Sequence, residues 1–421
     1  MSKQSLSSIV DRARPDLSSF ESLYKDLHAH PELSLQEEKT TARAATFLRD
    51  LPGFHVVEHI GGHGMVGLLE NGAGRTVLLR ADTDALPVEE KTRLPYASRV
   101  VMTDVEDGTT KPVMHACGHD VHVTCMLAAA QTLHHAQEDW KGTLIVLFQP
   151  NEERAGGAEA MVHDGLYDRV PVPDVVLGQH VMPARAGTLG TRRHLMGQAA
   201  DSFRVTLYGR GAHGSQPHAS IDVVVMAAHL VTRLQTIVSR EVAPRDSAVV
   251  TVGSIQAGSA ENVIPETAVL KINVRTVSPQ SRERVLASLR RIINAECEAS
   301  NAPKPPLIEE TTRFPFMYND DKATQTLETA FSDHFGDSYS SDCSPLGGSE
   351  DFPHLATCKD IPSCYWTFGG VDPSKWDEAK KQGRLDEDIP INHSPYFAPV
   401  IQPTIKTGVD ALAVAALAFL T

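Results

Sequence analysis

The chain has 421 residues, a formal net charge of −14, 22% charged residues and 41% apolar ones. This is an ordinary globular composition, and the length allows two domains. With no basic run, the acidity argues against nucleic acid and against an anionic membrane surface as partners. Six cysteines, at positions 117, 125, 297, 343, 358 and 364, lack paired spacing and do not read as a disulfide framework. Charges from Asp11 to Asp26 exclude an apolar signal core in that stretch. The greasiest stretch, residues 409 to 420, is broken by Asp410 and is too short to span a membrane. A reducing, cytoplasmic location is expected.

Residues 16 to 50 read as helical, with Leu23, Leu27, Ala44, Phe47 and Leu48 on apolar faces. His28-Ala-His30-Pro31-Glu32 interrupts them, because Pro31 disfavours helical geometry at His30. His28 and His30 fit hydrogen-bonded imidazoles at a helix end, since nothing nearby completes a ligand set.

Three apolar runs follow. Thr76-Val-Leu-Leu-Arg80 leads to Asp82 and Asp84, residues 143 to 148 lead to Glu152-Glu153, and residues 174 to 177 lead to His180. A helical pattern over residues 120 to 137 separates the first two. Unalternated strands divided by helices predict a mostly parallel sheet sandwiched by helices, with its active crevice beyond the carboxyl ends of the strands. Asp84, Glu152, Glu153 and His180 are all expected at those ends.

Composition changes near residue 198. A half-exposed strand (residues 203 to 208), a helix (220 to 239), two strands (248 to 255 and 268 to 276) and a helix (279 to 299) make most of a ferredoxin-like unit. Residues 301 to 306, rich in proline, read as a stiff connector back to the first domain. The expected division is a catalytic domain over residues 1–197 and 309–421, with an inserted lid and dimerisation domain over 198–308.

Met114-His-Ala-Cys117-Gly-His119-Asp120-Val-His122 carries the densest chemistry, with a thiol, three imidazoles and a carboxylate in nine residues. These are ligand types for zinc and neighbouring first-row metals, although a buried cysteine in a polar loop has the same composition. Glu152 and Glu153 follow a strand directly, and on extended backbone adjacent side chains diverge. One can then hold a metal while the other faces substrate as a general base.

Together with Arg80-Ala-Asp82-Thr-Asp84-Ala-Leu-Pro, Gln-Pro-Asn-Glu152-Glu153, Gly178-Gln-His180 and His393-Ser-Pro, this stretch resembles the aminoacylase/hippurate hydrolase family of metal-dependent amidohydrolases. The resemblance implies two divalent metal ions (zinc, with manganese, cobalt or nickel as alternatives) held by Cys117, His119, Glu153, His180 and His393. Glu152 is then the general base and acid, and Asp84 supports the site from behind. Gly209-Arg-Gly-Ala-His213 resembles the family's lid motif, so that His213 stabilises the oxyanion, in relatives often across a homodimer interface. Asn262 and Arg275 match positions that grip the substrate's polar end, and a guanidinium suits a carboxylate there. Asp82 stands where related peptidases have a metal-binding histidine. The stretch 100 to 112, rich in Asp, Glu and Thr, is longer than the family pattern and lies just before the metal loop, where it is expected to reshape the acyl pocket.

The implied activity is hydrolysis of the amide in an N-acyl amino acid or similar small amide. A dipeptidase or carboxypeptidase, and a non-catalytic metal-binding relative, are the rival readings. A Cys117 nucleophile is disfavoured, since a thiolate committed to a metal is poorly placed to attack carbon.

Overall fold

The computed structural model describes residues 5–421. The chain forms two compact units: Met1–Met196 with Tyr318–Pro345 and Asp351–Thr421, and Gly197–Met317 with Leu346–Glu350.

The first unit is built on an eight-stranded sheet. Its centre consists of Gly142–Gln149, Thr76–Asp82, Val175–Arg185 and Ser363–Val371, side by side and parallel. Thr76–Asp82 and Gly142–Gln149 are buried along almost their whole length, which is why their sequences do not alternate. The edges depart from the expected parallel pattern. Phe54–Ile60 and Gly64–Asn71 form an antiparallel hairpin beside Gly142–Gln149, and Leu189–Gly190 runs antiparallel to Ser363–Val371. The hairpin closes through Gly61 and Gly62, both at positive φ (63° and 99°), so a two-glycine turn replaces a helical crossover.

Helices His119–His135 and Thr404–Leu420 pack on this sheet and on each other. Thr404–Leu420 is buried over most of its surface, which accounts for its apolar run; Asp410, which breaks that run, is buried as well and pairs with Arg14 and Lys406. A Cβ at Gly408 would meet Cys125 Sγ at 2.6 Å, so the glycine sets how closely the two helices approach. Each buried leucine along the contact (Leu127, Leu412 and Leu417 among them) contributes roughly 1.5–3 kcal/mol.

In the second unit Ala248–Ala257, Thr267–Thr276, Ala199–Tyr208 and Leu307–Phe314 form an antiparallel sheet in that order. Helices Val223–Thr236 and Pro279–Ala299 cover it around Phe203, Leu230, Leu289 and Ile293. The stretch after residue 306 does not lead straight back to the first unit, as the sequence suggests. It forms the fourth strand, completing the strand–helix–strand–strand–helix–strand order. Its exposed, charged outer positions (Glu309, Arg313) mask the strand in the sequence. Among the described residues no helix is long and apolar enough to cross a membrane, and all six cysteines are free.

Candidate metal centre and active site

The Cys117 loop turns into helix His119–His135 through Gly118, whose φ is +85°. A Cβ there would strike Val181 Cγ1 at 2.4 Å, so only glycine lets the loop lie against the strand that carries His180. As a result Cys117 Sγ stands 3.5 Å from His180 Nε2. His180 does not end its strand, contrary to the sequence reading. It lies inside Val175–Arg185, past the point where pairing with Thr76–Asp82 stops at Gly178. The strand continues beside Ser363–Val371 alone.

Asp84 follows the adjacent strand. One of its oxygens lies 3.3 Å from His119 Nδ1; the other accepts the Ser34 hydroxyl at 2.7 Å and the Glu153 amide at 3.0 Å. His119 Nε2 is thereby left facing Asp82 (3.6 Å), Glu153 (3.8 Å) and Glu152 (4.0 Å). His393 Nε2 comes within 3.4 Å of Glu153 from the far side. The His393 turn has φ +70° and is pinned by its own N–H to Ala116 O at 2.8 Å. The Asn392 amide also reaches Cys117 O and Val181 O. Cys117, His119, Glu153, His180 and His393, with Glu152 beside them, thus come from four distant segments to one place, offering donor atoms in overlapping groups.

The electrostatics of this set call for a cation. Burial, reinforced by Glu153 and Glu152, pushes the Cys117 thiol far up. Burial and Asp84 hold the Glu153 carboxyl near pKa 8, against the opposing pull of His119. Burial drives His180 far below its ordinary value. Both ring nitrogens of His119 and one oxygen of Glu153 are buried without a hydrogen bond. Burial opposes charge on His119, but Asp82, Asp84 and Glu153 prevail and raise its pKa to about 10, so the site draws positive charge to itself, a role that a bound cation would take over. The donor set therefore fits divalent metal.

Asp82 lies close by but is already committed. One oxygen accepts the Arg80 guanidinium at 2.7 Å, and the other lies 2.5 Å from His122 Nδ1. His122 Nε2 in turn accepts the Val181 amide at 2.9 Å, next to His180. Sequence reasoning gave His122 no role, although it lies three residues along the helix from His119 and their rings stack at 5.3 Å.

In the second unit, residues Ala212–His213 pair with Val263–Ile264, placing Asn262 beside His213. His213 Nδ1 accepts the Ser215 amide at 3.1 Å, which leaves Nε2 as the outward N–H donor of an exposed ring. Arg275 is not part of that ribbon. It extends from Thr267–Thr276 to Gly347 O (3.0 Å) and Ser349 Oγ (3.3 Å).

The model of peptidase family M20/M25/M40 matches residues 78–391. The chain belongs to this family. Among its M20-type relatives, the hippurate hydrolase of Campylobacter jejuni is 36% identical over 83% of this chain and 87% of its own. The N-acyl-L-amino acid amidohydrolase of Geobacillus stearothermophilus is 36% identical over 72% of this chain and 78% of its own. A Bacillus subtilis structure described as a dinuclear metal binding peptidase of the M20 family superposes with a TM-score of 0.71 at 26% identity, covering 98% and 99% of the two chains.

Proposed function

We propose that this M20-family chain is an amidohydrolase that cleaves the amide of N-acyl amino acids or similar small amides. The observation that carries the reading is the convergence of Cys117, His119, Glu153, His180 and His393, with Glu152 alongside, on one place where their donor atoms lie in overlapping groups. The names of the relatives, a hippurate hydrolase and an N-acyl amino acid amidohydrolase, support the substrate class.

Two divalent ions held by those five residues, zinc or alternatively manganese, cobalt or nickel, would supply Lewis acidity and an acidified water. Glu152 takes the proton of the attacking water and delivers it to the leaving nitrogen. Asp84 orients the His119 ring by facing its Nδ1. His213 offers its Nε2–H to the oxygen that becomes negative as the carbonyl is attacked. Asn262 and Arg275 hold the substrate carboxylate, the latter by the fit of its fork to two oxygens.

The second unit, with the division 1–197, 198–308 and 309–421 as a first approximation, acts as lid and as the surface of a homodimer. Its edge strand Ala248–Ala257 has one unpaired side and exposes Val249 and Ile255 at 47% and 49%, a combination that a second copy would cover.

The test is amine release across N-acyl amino acids by the purified protein after chelation and after metal add-back. Metal-dependent release from benzoyl- or acetyl-amino acids supports the assignment. The family's peptidase name keeps a dipeptidase or carboxypeptidase as the second reading, and preference for unblocked dipeptides in the same panel would establish it. Ligand binding with no metal-dependent turnover on any substrate would leave a non-catalytic relative.

A further inference from the structure

The turn that presents Glu152 and Glu153 is held in an uncommon backbone shape. Asn151 and Ala155 lie at φ +55° and +58°, a region that side chains other than glycine occupy at a cost. Such a turn persists only where its surroundings dictate it. Its return is closed locally by the Ala155, Gly156 and Gly157 amides, which bond to Glu152 O and Asn151 O. The amide of Asn151, at its entrance, has no partner within the turn. It donates to Glu37 Oε1 at 2.7 Å.

Glu37 comes from a segment that the hydrolytic roles above leave unused. Its side chain lies wholly inside the protein, and the same oxygen accepts the Leu35 amide at 3.0 Å. Leu35 is itself at φ +68°. The second oxygen, Oε2, is buried without a hydrogen bond. Burial and then the charge of Asp84 raise the carboxyl's pKa to about 8. The same short segment supplies Ser34 to Asp84, so both carboxyl groups that brace the glutamate turn are fixed by residues 34 to 37.

We propose that Glu37 is a positioning residue for the general base: its carboxyl, by receiving the Asn151 amide, fixes the strained turn from which Glu152 reaches the attacking water. Glu37 touches neither metal donors nor substrate in this role. It acts through one peptide group, the Pro150–Asn151 unit at the entrance to the turn that carries Glu152. The contact needs an acceptor oxygen at this place, which glutamine keeps and alanine lacks. The inference rests on Glu152 being the base.

The experiment compares the parent, Glu37→Ala, Glu37→Gln and Glu152→Gln in the metal-loaded enzyme on one N-acyl amino acid, with kcat, KM, bound metal and thermal midpoint measured for each. Glu37→Ala should lose about 10- to 100-fold in kcat, the scale expected when a catalytic group is displaced by an ångström, with KM and metal stoichiometry unchanged. Glu37→Gln should recover most of that loss. A parental kcat in Glu37→Ala would overturn the proposal, and so would a loss matched by lost metal or a raised KM. So would failure of Glu37→Gln to recover activity. If Glu37→Ala does not fold, Glu37→Met takes its place, keeping the volume without the acceptor. Misfolding of both, with Glu37→Gln folded, would make the residue structural and end the proposal. If Glu152→Gln stays active, the base assignment itself fails. If Glu152→Gln is dead and Glu37→Ala is normal, only the role of Glu37 falls.

Discussion

Asp84 accepts the backbone N–H of Glu153 at 3.0 Å. A carboxylate at the end of one parallel strand thus anchors the peptide that displays two carboxylates at the end of its neighbour. The other Asp84 oxygen faces His119, so one side chain couples an imidazole donor to the glutamate turn.

Asp84→Asn should therefore act on metal retention before it acts on chemistry. We expect metal affinity to fall about 10- to 100-fold, the usual cost of losing a group that orients a ligand. Competition with a chromophoric chelator measures it. Unchanged affinity would remove Asp84 from its supporting role.

Glu152→Gln keeps the shape of the side chain but cannot take up a proton. Turnover should fall by about 10²–10⁴-fold with metal content near normal, as judged by elemental analysis. A variant that keeps most of its rate would refute the base assignment.

His213→Ala should lower kcat by about 10²–10³-fold while the fold stays intact, the range for losing one oxyanion donor. If the ring acts across a dimer, mixing this variant with Glu152→Gln should restore part of the activity through mixed dimers. No recovery under conditions where subunits exchange would place His213 in the same chain as the site it serves.

Metal uptake should release protons. Glu153 sits near pKa 8 and the Cys117 thiol well above its usual range, and both must ionise to bind a cation. Apparent affinity should thus rise with pH between about 6 and 8. A flat profile in competition titrations would argue against a thiolate and carboxylate donor set. Chelation should also lower the thermal midpoint, and metal should restore it, since only the folded state offers the site.

Stability at alkaline pH should depend on His28. The ring lies 2.6 Å from Asp120 and 3.1 Å from Glu90; burial opposes its charge, but the two carboxylates prevail and raise its pKa from 6.5 to about 10. A histidine that holds its proton more tightly when folded contributes stability in full below pH 6.5 and loses it as pH rises through about 10. The denaturation midpoint of the parent should exceed that of His28→Gln most near pH 6, with the gap closing toward pH 10. A gap that widens with pH would reverse the sign of this account.

The sequence carried the central sheet well, because strands buried on both faces cannot alternate and so stand out as apolar runs. The residues proposed to hold metal were picked out by their motifs, and Cys117 and His119 share a single loop. Elements that face solvent on one side were harder. The hairpin at 54–71 and the last strand of the second unit mix charged with apolar positions, and nothing local marks them. His28 is hydrogen-bonded as its setting suggests, but its partners lie 62 and 92 residues away. Glu37 was unreadable for the same reason, its contact to Asn151 spanning 114 residues.

The stapling of Asn392 and His393 onto the Cys117 loop, 275 residues upstream, bears on synthesis as well as on catalysis. A nascent chain can form the early strands, and even the thiol loop, long before the last imidazole leaves the ribosome. On the ligand set proposed above, tight loading with metal would wait for the closing stretch of translation, and chains cut short before that turn would keep the pocket's walls without its full grip.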